Sequence, residues 1–316
     1  MNIETVYAGI CHLGECPMWY PRSGKLIWTD VLGARLWVYD PSNGRSEVFL
    51  DTAGRVSGFA FTRDGGLVLF SSEGVLRVAL DEDGRPVGRP EPLLPFAFAP
   101  GERFNDVTVD PAGRIFAGTL YDGHKPEGVL YRFERGREPV PVLYGLGCTN
   151  GMTFSLDERT FYHTDSRTRR ITQYDYDRST GEISNPRPFF EAPEELGVPD
   201  GITLDAEGFV WVAMWGGSCV LRLDGEGRVV RRIDVPAKQP SSVMFGGERL
   251  DELYVTSACE GGDDIETGMN RDGTFLGGPL YRVRPGVMGR LEFLADFPAG
   301  MAAQPVEGQE SERGTR

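Results

Sequence analysis

The sequence predicts an all-β fold, a six-bladed β-propeller with four-stranded antiparallel blades around a central channel. Six segments of the 316-residue chain repeat one pattern, in which a polar residue and usually a small one precede alternating apolar positions and a turn. Glycine (42 residues) and proline (22 residues) are abundant, as expected of short strands joined by turns. The hydrophobic fraction of 40% is sufficient for a packed core.

The repeats define blades of similar length. Their first residues, called the ring residues below, are Glu15, Ser57, Asn105, Asn150, Asp200 and Ser241. Successive ring residues are 41 to 50 positions apart, and a period of this size with several strands per unit is typical of propeller blades. After each turn a second strand follows, such as KLIWTD or FVWVAMW, then a third and a weaker fourth. These runs are rich in β-branched and aromatic residues, which favour strands.

The two ends of the chain are predicted to meet in the sixth blade. The segment IETVYAG (3–9) precedes the first repeat, and we expect it to complete that blade beside LEFLADF (291–297). Such closure removes an exposed sheet edge. We therefore assign 1–300 to one propeller domain. The polar stretch 301–316 lacks periodicity and is expected to be a disordered tail.

Charge and targeting signals restrict the partners. The net charge is −14 and no basic cluster offsets it, so neither nucleic acid nor an anionic membrane surface is an expected partner. The N-terminus lacks the basic and apolar regions of a signal peptide, and no apolar run is long enough to span a membrane. The five cysteines include no CxxC pair and are expected to be reduced thiols. We expect a cytoplasmic protein, either a monomer or a weak homo-oligomer.

The ring residues are candidates for binding a cation. The innermost strand of a propeller blade runs along the channel, so equivalent residues of the six repeats are expected at one channel mouth. Four of them, Glu15, Asn105, Asn150 and Asp200, carry carboxylate or amide oxygens. Such a set, without sulfur or imidazole, suits a hard or borderline divalent ion.

A simpler interpretation competes with this one. Asn-Gly and Asp-Gly are the most frequent hairpin dipeptides, so Asn150-Gly151 and Asp200-Gly201 taken singly favour turns. Three repeats, however, place turn glycines eight residues later, at Gly65, Gly113 and Gly208. The ring position is therefore a strand start, and its shared polarity favours metal binding.

Five motifs in order resemble the senescence-marker-protein/regucalcin/gluconolactonase family across residues 10–290. They are LGECPMW, RFNDVTVDPAGRIFAGT, TNGMTFSLDERTFYHTDS, PDGITLDAEGFVWVAMWGG and FGGERLDELYVTSA. The resemblance implies a six-bladed propeller with sugar-lactone hydrolase activity that depends on a divalent metal. It implies that Glu15, Asn150 and Asp200 are the metal ligands, with Asp200 also the general base. It further implies that Arg103 and Asn105 contact the substrate.

The third-blade loop GTLYDGHKPEG departs from the family pattern. Several family members carry a glutamate there that faces the sugar hydroxyls, whereas this chain has Asp122, Gly123 and His124. Either Asp122 or His124 takes over the contact, or the loop recognises a different acyl or alcohol portion. The sequence does not distinguish Ca, Zn, Mn, Mg and Fe(II) as the metal.

The expected activity is carboxylic-ester hydrolysis in carbohydrate metabolism, in which metal-activated water attacks the ring ester of a sugar lactone. The same metal propeller could instead hydrolyse organophosphates or aryl esters, or be a non-enzymatic calcium-binding or scaffold protein. No G-x-S-x-G motif supports a serine nucleophile. His163 lies in the strand FYHTD, so a structural role is expected rather than general-base catalysis. Arg103 alternatively pairs with Glu102 or Asp106.

Overall fold

The predicted six-bladed β-propeller is confirmed in the computed structural model, which describes residues 2–121, 123 and 125–298. Its strands form six four-stranded antiparallel sheets, and neighbouring innermost strands pack against each other around a closed ring. Within the described ranges the only helix is a single 3₁₀ turn, Glu194–Leu196, and no helix is long and apolar enough to cross a membrane. The five cysteines are buried free thiols. The predicted tail, 301–316, lies outside the described residues.

The blades follow one another along the chain. Blade 1 contains β2 (Gly14–Tyr20), β3 (Lys25–Asp30), β4 (Arg35–Asp40) and β5 (Arg45–Asp51). Blade 2 contains β6 (Val56–Phe61), β7 (Gly66–Ser71), β8 (Gly74–Leu80) and β9 (Pro86–Leu94). Blade 3 contains β10 (Glu102–Val109), β11 (Ile115–Tyr121), β12 (Gly128–Phe133) and β13 (Val140–Leu146). Blade 4 contains β14 (Thr149–Phe154), β15 (Thr160–Asp165), β16 (Arg170–Asp177) and β17 (Glu182–Glu191). Blade 5 contains β18 (Val198–Leu204), β19 (Val210–Trp215), β20 (Cys219–Leu223) and β21 (Val229–Asp234). Blade 6 contains β22 (Pro240–Gly246), β23 (Glu252–Ser257), β24 (Leu280–Val283) and β1 (Glu4–Tyr7).

Burial falls from the channel outwards. The inner strands β6, β7, β14 and β22 are buried at every position, whereas the outer strand β17 is largely exposed. An inner strand has a neighbouring blade against each face, which explains its nearly continuous run of apolar residues. The core consists of clusters between adjacent blades, such as the one that joins Phe70 and Phe104.

The N-terminal strand lies in the sixth blade, but its predicted neighbour was wrong. β1 pairs with β24, with Glu4 opposite Arg282, and not with 291–297. Arg282 Nη2 also donates to Glu4 Oε2 at 2.8 Å, an ion pair that favours this register. The edge of β24 is thereby occupied, and the backbone of 291–297 makes its hydrogen bonds elsewhere.

Residues 287–298, called the closing segment below, cross the end of the channel near the last residues of the innermost strands. Met288 O accepts from Ala206 N in blade 5, and Arg290 Nη2 donates to Phe154 O in blade 4. Ala295 N then donates to Phe61 O in blade 2, and Asp296 N to Gly113 O in blade 3. The ring residues stand at the first residues of the same strands, so the closing segment covers the opposite channel end.

Candidate functional site

A cavity of about 280 Å³ occupies the channel mouth at the starts of the innermost strands. Its walls are Leu13, Glu15, Arg103, Asn105, Leu120, Cys148, Asn150, Ser166, Arg167, Val198, Asp200, Trp215 and Glu260. All five described residues that the resemblance assigned to metal or substrate are among them. The structure therefore brings together side chains from blades 1, 3, 4 and 5. Asp122 and His124 fall outside the described residues and stay predictions.

Every innermost strand has a β-bulge near its start, at or beside its ring residue. The register shifts lie between Glu15 and Met18, Val56 and Gly58, Phe104 and Val107, Asn150 and Met152, Pro199 and Ile202, and Pro240 and Val243. A bulge bends its strand locally and re-aims a side chain. The same local device, repeated six times, gives the ring residues their common position.

The glycines after Asn150 and Asp200 allow the blades to approach closely. A Cβ on Gly151 would lie 2.4 Å from Ile202 N, and one on Gly201 would lie 2.1 Å from Ser242 Oγ, both in the next blade. Both glycines lie inside strands, β14 and β18, rather than in hairpin turns. The interpretation of the Asn-Gly and Asp-Gly dipeptides as hairpin turns is therefore wrong. Their position in the repeat correctly predicts that they lie at strand starts.

The carboxylates of the site are buried close to other negative charges, which makes their ionisation unfavourable. Burial raises the pKa of Asp200 well above its usual value, and the negative charges of Asp106 and Glu260 add to the rise. Burial likewise raises the pKa of Glu15, with contributions from Asp200 and Asp106. Both shifts mean that a second ionised carboxylate is unfavourable here. A cation between them would reverse this penalty.

One buried oxygen of Asp200 lacks a partner. Asp200 is 4% exposed, and its Oδ1 accepts no hydrogen bond from any described residue. Unpaired buried carboxylate oxygens are costly, so such an atom in a cavity wall needs an explanation. Across the described ranges no three His, Cys, Asp or Glu side chains form a metal-binding group by themselves. A metal bound by Glu15 and Asp200 would therefore need an amide oxygen as well, which suits Asn150.

Hydrogen bonds link Asn150 to the predicted substrate contacts. Asn105 Nδ2 donates to Asn150 Oδ1 at 3.0 Å and to Thr149 O at 2.8 Å. Arg103 Nη1 donates to Asn105 Oδ1 at 3.1 Å and to Phe104 O at 3.2 Å. Asn105 therefore connects the guanidinium of Arg103 to the amide of Asn150, a role that the sequence did not indicate.

Two ring residues face away from the cavity. Ser57 and Ser241 are buried, and neither contributes to the cavity wall. Ser57 Oγ donates to Phe104 O at 2.7 Å, and Ser241 Oγ donates to Gly14 O. Their hydroxyl groups therefore bond to the backbone of the next blade and not to a ligand in the cavity.

Several cavity residues escaped the sequence analysis. Ser166 and Arg167 directly follow β15, Cys148 precedes β14, and Glu260 follows β23. Ser166 lies in the motif fragment TDS, but the repeat pattern marks the ring position and gives no signal for these four residues. His163 points elsewhere. It is buried in β15 and burial lowers its pKa to about 4, so it is neutral at pH 7.

The fold and the site define a class of protein, a six-bladed propeller with an acidic, oxygen-rich pocket at one channel mouth. Residues 13–259 match the family model described as the SMP-30/gluconolactonase/LRE-like region. The chain therefore belongs to this family, and the resemblance seen in its motifs is confirmed.

Individual relatives agree with this assignment. The chain is 38% identical over 300 residues to pentonolactonase XacC of Haloferax volcanii, covering 95% of this chain and 100% of that protein. It is 32% identical to regucalcin of Xenopus laevis over 282 residues, which covers 84% of this chain and 89% of the relative. The solved structure of a calcium-binding regucalcin from Agrobacterium tumefaciens superimposes with a TM-score of 0.83 at 28% identity, covering 92% of this chain and 96% of that one.

Proposed function

We propose that this chain is a divalent-metal-dependent hydrolase that opens sugar lactones by attack of water on the ring ester. The observation that carries the proposal is the buried Oδ1 of Asp200, which no described residue bonds, in the wall of the mouth cavity that Glu15 and Asn150 also line. The full-length similarity to a pentonolactonase supports a lactone as substrate.

Glu15, Asn150 and Asp200 are the proposed metal ligands. They supply two carboxylates and one amide oxygen, a donor set suited to hard or borderline divalent ions. Such an ion, when bound, supplies Lewis-acid polarisation of the ester carbonyl and acidification of water. The raised pKa values of Glu15 and Asp200 support a cation here, because its charge would relieve their repulsion.

Asp200 also orients and deprotonates the attacking water in this proposal. Oδ1 has more than one lone pair, so a water can donate a hydrogen bond to it even with an ion bound, since no donor among the described residues occupies it. The proton that the water loses on attack passes to Oδ1, and from there to the alcohol oxygen that leaves the opened ring. The products are one hydroxyl and one carboxylic acid on the same sugar chain, and the acid releases its proton to solvent at neutral pH.

The neighbouring residues orient the sugar. Arg103 offers a planar set of N–H donors that suits hydroxyl and ring oxygens. Asn105 holds this guanidinium through Oδ1 and so fixes its direction. Trp215, Leu120 and Val198 give the cavity apolar walls, against which the C–H faces of a sugar ring can pack. Asp122 and His124 remain candidates for further hydroxyl contacts.

A lactone panel tests the activity. The full chain is treated with a chelator and assayed by acid release on five- and six-carbon aldonolactones, with spontaneous hydrolysis subtracted. We expect the rate of lactone hydrolysis to fall to the spontaneous rate after chelation and to recover when one of Ca, Zn, Mn, Mg or Fe(II) is added. Faster turnover of a phosphotriester or an aryl acetate than of every lactone would contradict the substrate class.

Variants of the proposed ligands test the site. We expect Glu15→Gln and Asp200→Asn to bind metal more weakly and to lower kcat/KM by at least about 100-fold, the usual lower range for a positioned acid–base group. Glu47→Gln is a matched control because it neutralises an exposed carboxylate on β5, far from the mouth cavity. Full rate and full metal content in both ligand variants would show that the assignment is wrong.

A calcium-binding role without catalysis is the second candidate, favoured by the calcium-binding protein that superimposes on this chain. It would appear in the same experiment as tight Ca²⁺ binding with no lactone turnover under any metal.

A further inference from the structure

We infer that Ser166 and Ser241 are positioning residues for the metal ligands, each fixing from one blade the ligand of the next. This inference rests on the proposed metal site. It adds two residues, neither of them a proposed ligand, whose hydroxyls are required for the ligand geometry.

The observation is a belt of hydrogen bonds between neighbouring blades around the channel mouth. Thr29 Oγ1 donates to Val56 O (2.7 Å), Ser57 Oγ to Phe104 O (2.7 Å), Asn105 Nδ2 to Thr149 O (2.8 Å), Ser166 Oγ to Pro199 O (2.6 Å), and Ser241 Oγ to Gly14 O. Each acceptor directly precedes the ring residue of its blade. Five blade junctions in the described structure therefore share one contact, which we call the inter-blade belt.

Three of these bonds lead to the proposed metal ligands. Gly14, Thr149 and Pro199 directly precede Glu15, Asn150 and Asp200. Holding the carbonyl of the preceding residue fixes the peptide plane from which the ligand side chain departs. A metal needs its ligands placed to within tenths of an ångström. Movement of this peptide would therefore displace the ligand oxygens.

Ser166 has a second effect, on the orientation of the Asn150 amide. A hydroxyl has one proton, and Ser166 Oγ donates it to Pro199 O. Ser166 Oγ therefore accepts from Asn150 Nδ2, at 2.9 Å. Asn150 Nδ2 also donates to Cys148 Sγ at 3.7 Å. Together the two bonds orient the amide, and its Oδ1 accepts from Asn105 Nδ2 at 3.0 Å. One hydroxyl in this way connects the ligand of blade 4 with the backbone of the ligand in blade 5.

Both serines are well placed for such a role. Ser241 is fully buried and Ser166 is 8% exposed, so water does not readily replace their bonds. Ser241 Oγ also lies 2.9 Å from Thr256 Oγ1, which restricts its rotation. Partners of this kind commonly change metal affinity by about 10- to 100-fold when they are removed.

The test is metal affinity, measured by titration calorimetry on the full chain after chelation, with each of Ca, Zn, Mn, Mg and Fe(II). We expect Ser166→Ala and Ser241→Ala to raise the Kd at least about tenfold over the wild type. The matched control is Ser71→Ala in β7. Ser71 Oγ is buried, donates to Gly74 O at 3.0 Å and accepts from Glu73 N at 3.1 Å, but contacts no ligand strand of the cavity through these bonds. Thermal unfolding of each variant checks that it is folded at the titration temperature.

The outcomes separate the inference from the proposed function. A Kd raised in Ser166→Ala and Ser241→Ala but unchanged in Ser71→Ala supports the positioning role. Equal Kd values in all four proteins, or the same loss in Ser71→Ala, overturn the inference and leave the metal site standing. A wild type that binds none of the five ions overturns the proposed site and the inference with it.

Discussion

Buried charge is the dominant feature at the scale of single residues. Glu15 and Asp200 share one cavity, and burial raises the pKa of both. Ser57 and Ser241, at the same repeat position, are uncharged and bond to backbone carbonyls. A polar residue at this position therefore either faces the cavity or joins two blades, and Asn105 does both.

His163 gives a prediction at this scale. It is 2% exposed, its Nε2 has no hydrogen-bond partner among the described residues, and burial lowers its pKa from 6.5 to about 4. Between these two values the unfolded chain binds more protons than the folded one, so the free energy of unfolding falls as the pH is lowered. Between pH 7 and pH 5, we expect the free energy of unfolding of His163→Gln to fall by about 2 kcal/mol less than that of the wild type. One unit of pKa shift corresponds to about 1.4 kcal/mol. Urea unfolding at both pH values measures this, and identical losses would contradict it.

At the scale of elements, contacts between strands determine how closely neighbouring blades pack and how the sixth blade is completed. The glycines of β14 and β18 let adjacent innermost strands approach, and the bulges of these two strands lie at Asn150 and Asp200, which face the cavity. The sixth blade is completed by β1, which brings Glu4 to Arg282. Arg282 Nη1 also lies 3.3 Å from both carboxylate oxygens of the buried Glu252.

This closure can be tested by removing the shared arginine. We expect Arg282→Met to lower the free energy of unfolding by about 2 kcal/mol, because a buried carboxylate loses one of its charged partners and β1 loses its ion pair. Arg284 still contacts Glu252, which limits the loss. Arg170→Met is the control. Its pair with Glu191 is exposed on both sides, so a change of less than about 1 kcal/mol is expected. Chemical denaturation of the two variants compares them, and equal effects would refute a special role for the closure.

At the scale of the whole molecule, the two channel ends differ. One end opens into the cavity of Glu15, Asn150 and Asp200, while the closing segment covers the other. Phe297 and Ala295 of this segment are buried in the core between blades 2 and 3. The segment therefore connects blades that are distant in sequence, without contributing to the mouth cavity.

Truncation of Phe297 tests this stabilising role. We expect Phe297→Ala to cost about 3 kcal/mol, because a fully buried aromatic side chain leaves a cavity behind. Leu294→Ala in the same segment removes a side chain that is 37% exposed and should cost much less. Thermal and urea unfolding give both values. A larger loss for Leu294→Ala would show that the packing of the segment is misassigned.

The repeat pattern by itself determined the number of blades and the position of the ring residues. It succeeded because the polar ring residue, the strand alternation and the following turn are local features that recur in all six repeats. The motif resemblance added the family, and the family model matches it.

The tertiary structure decided which ring residues face the cavity and which face the next blade. It also decided that β1 pairs with β24 rather than with 291–297, and that Ser166 contacts Asn150. Each of these outcomes depends on contacts between segments brought together by ring closure. Hydrophobic period and local propensity carry no information on such contacts, because they describe a residue's own strand and not the blade beside it.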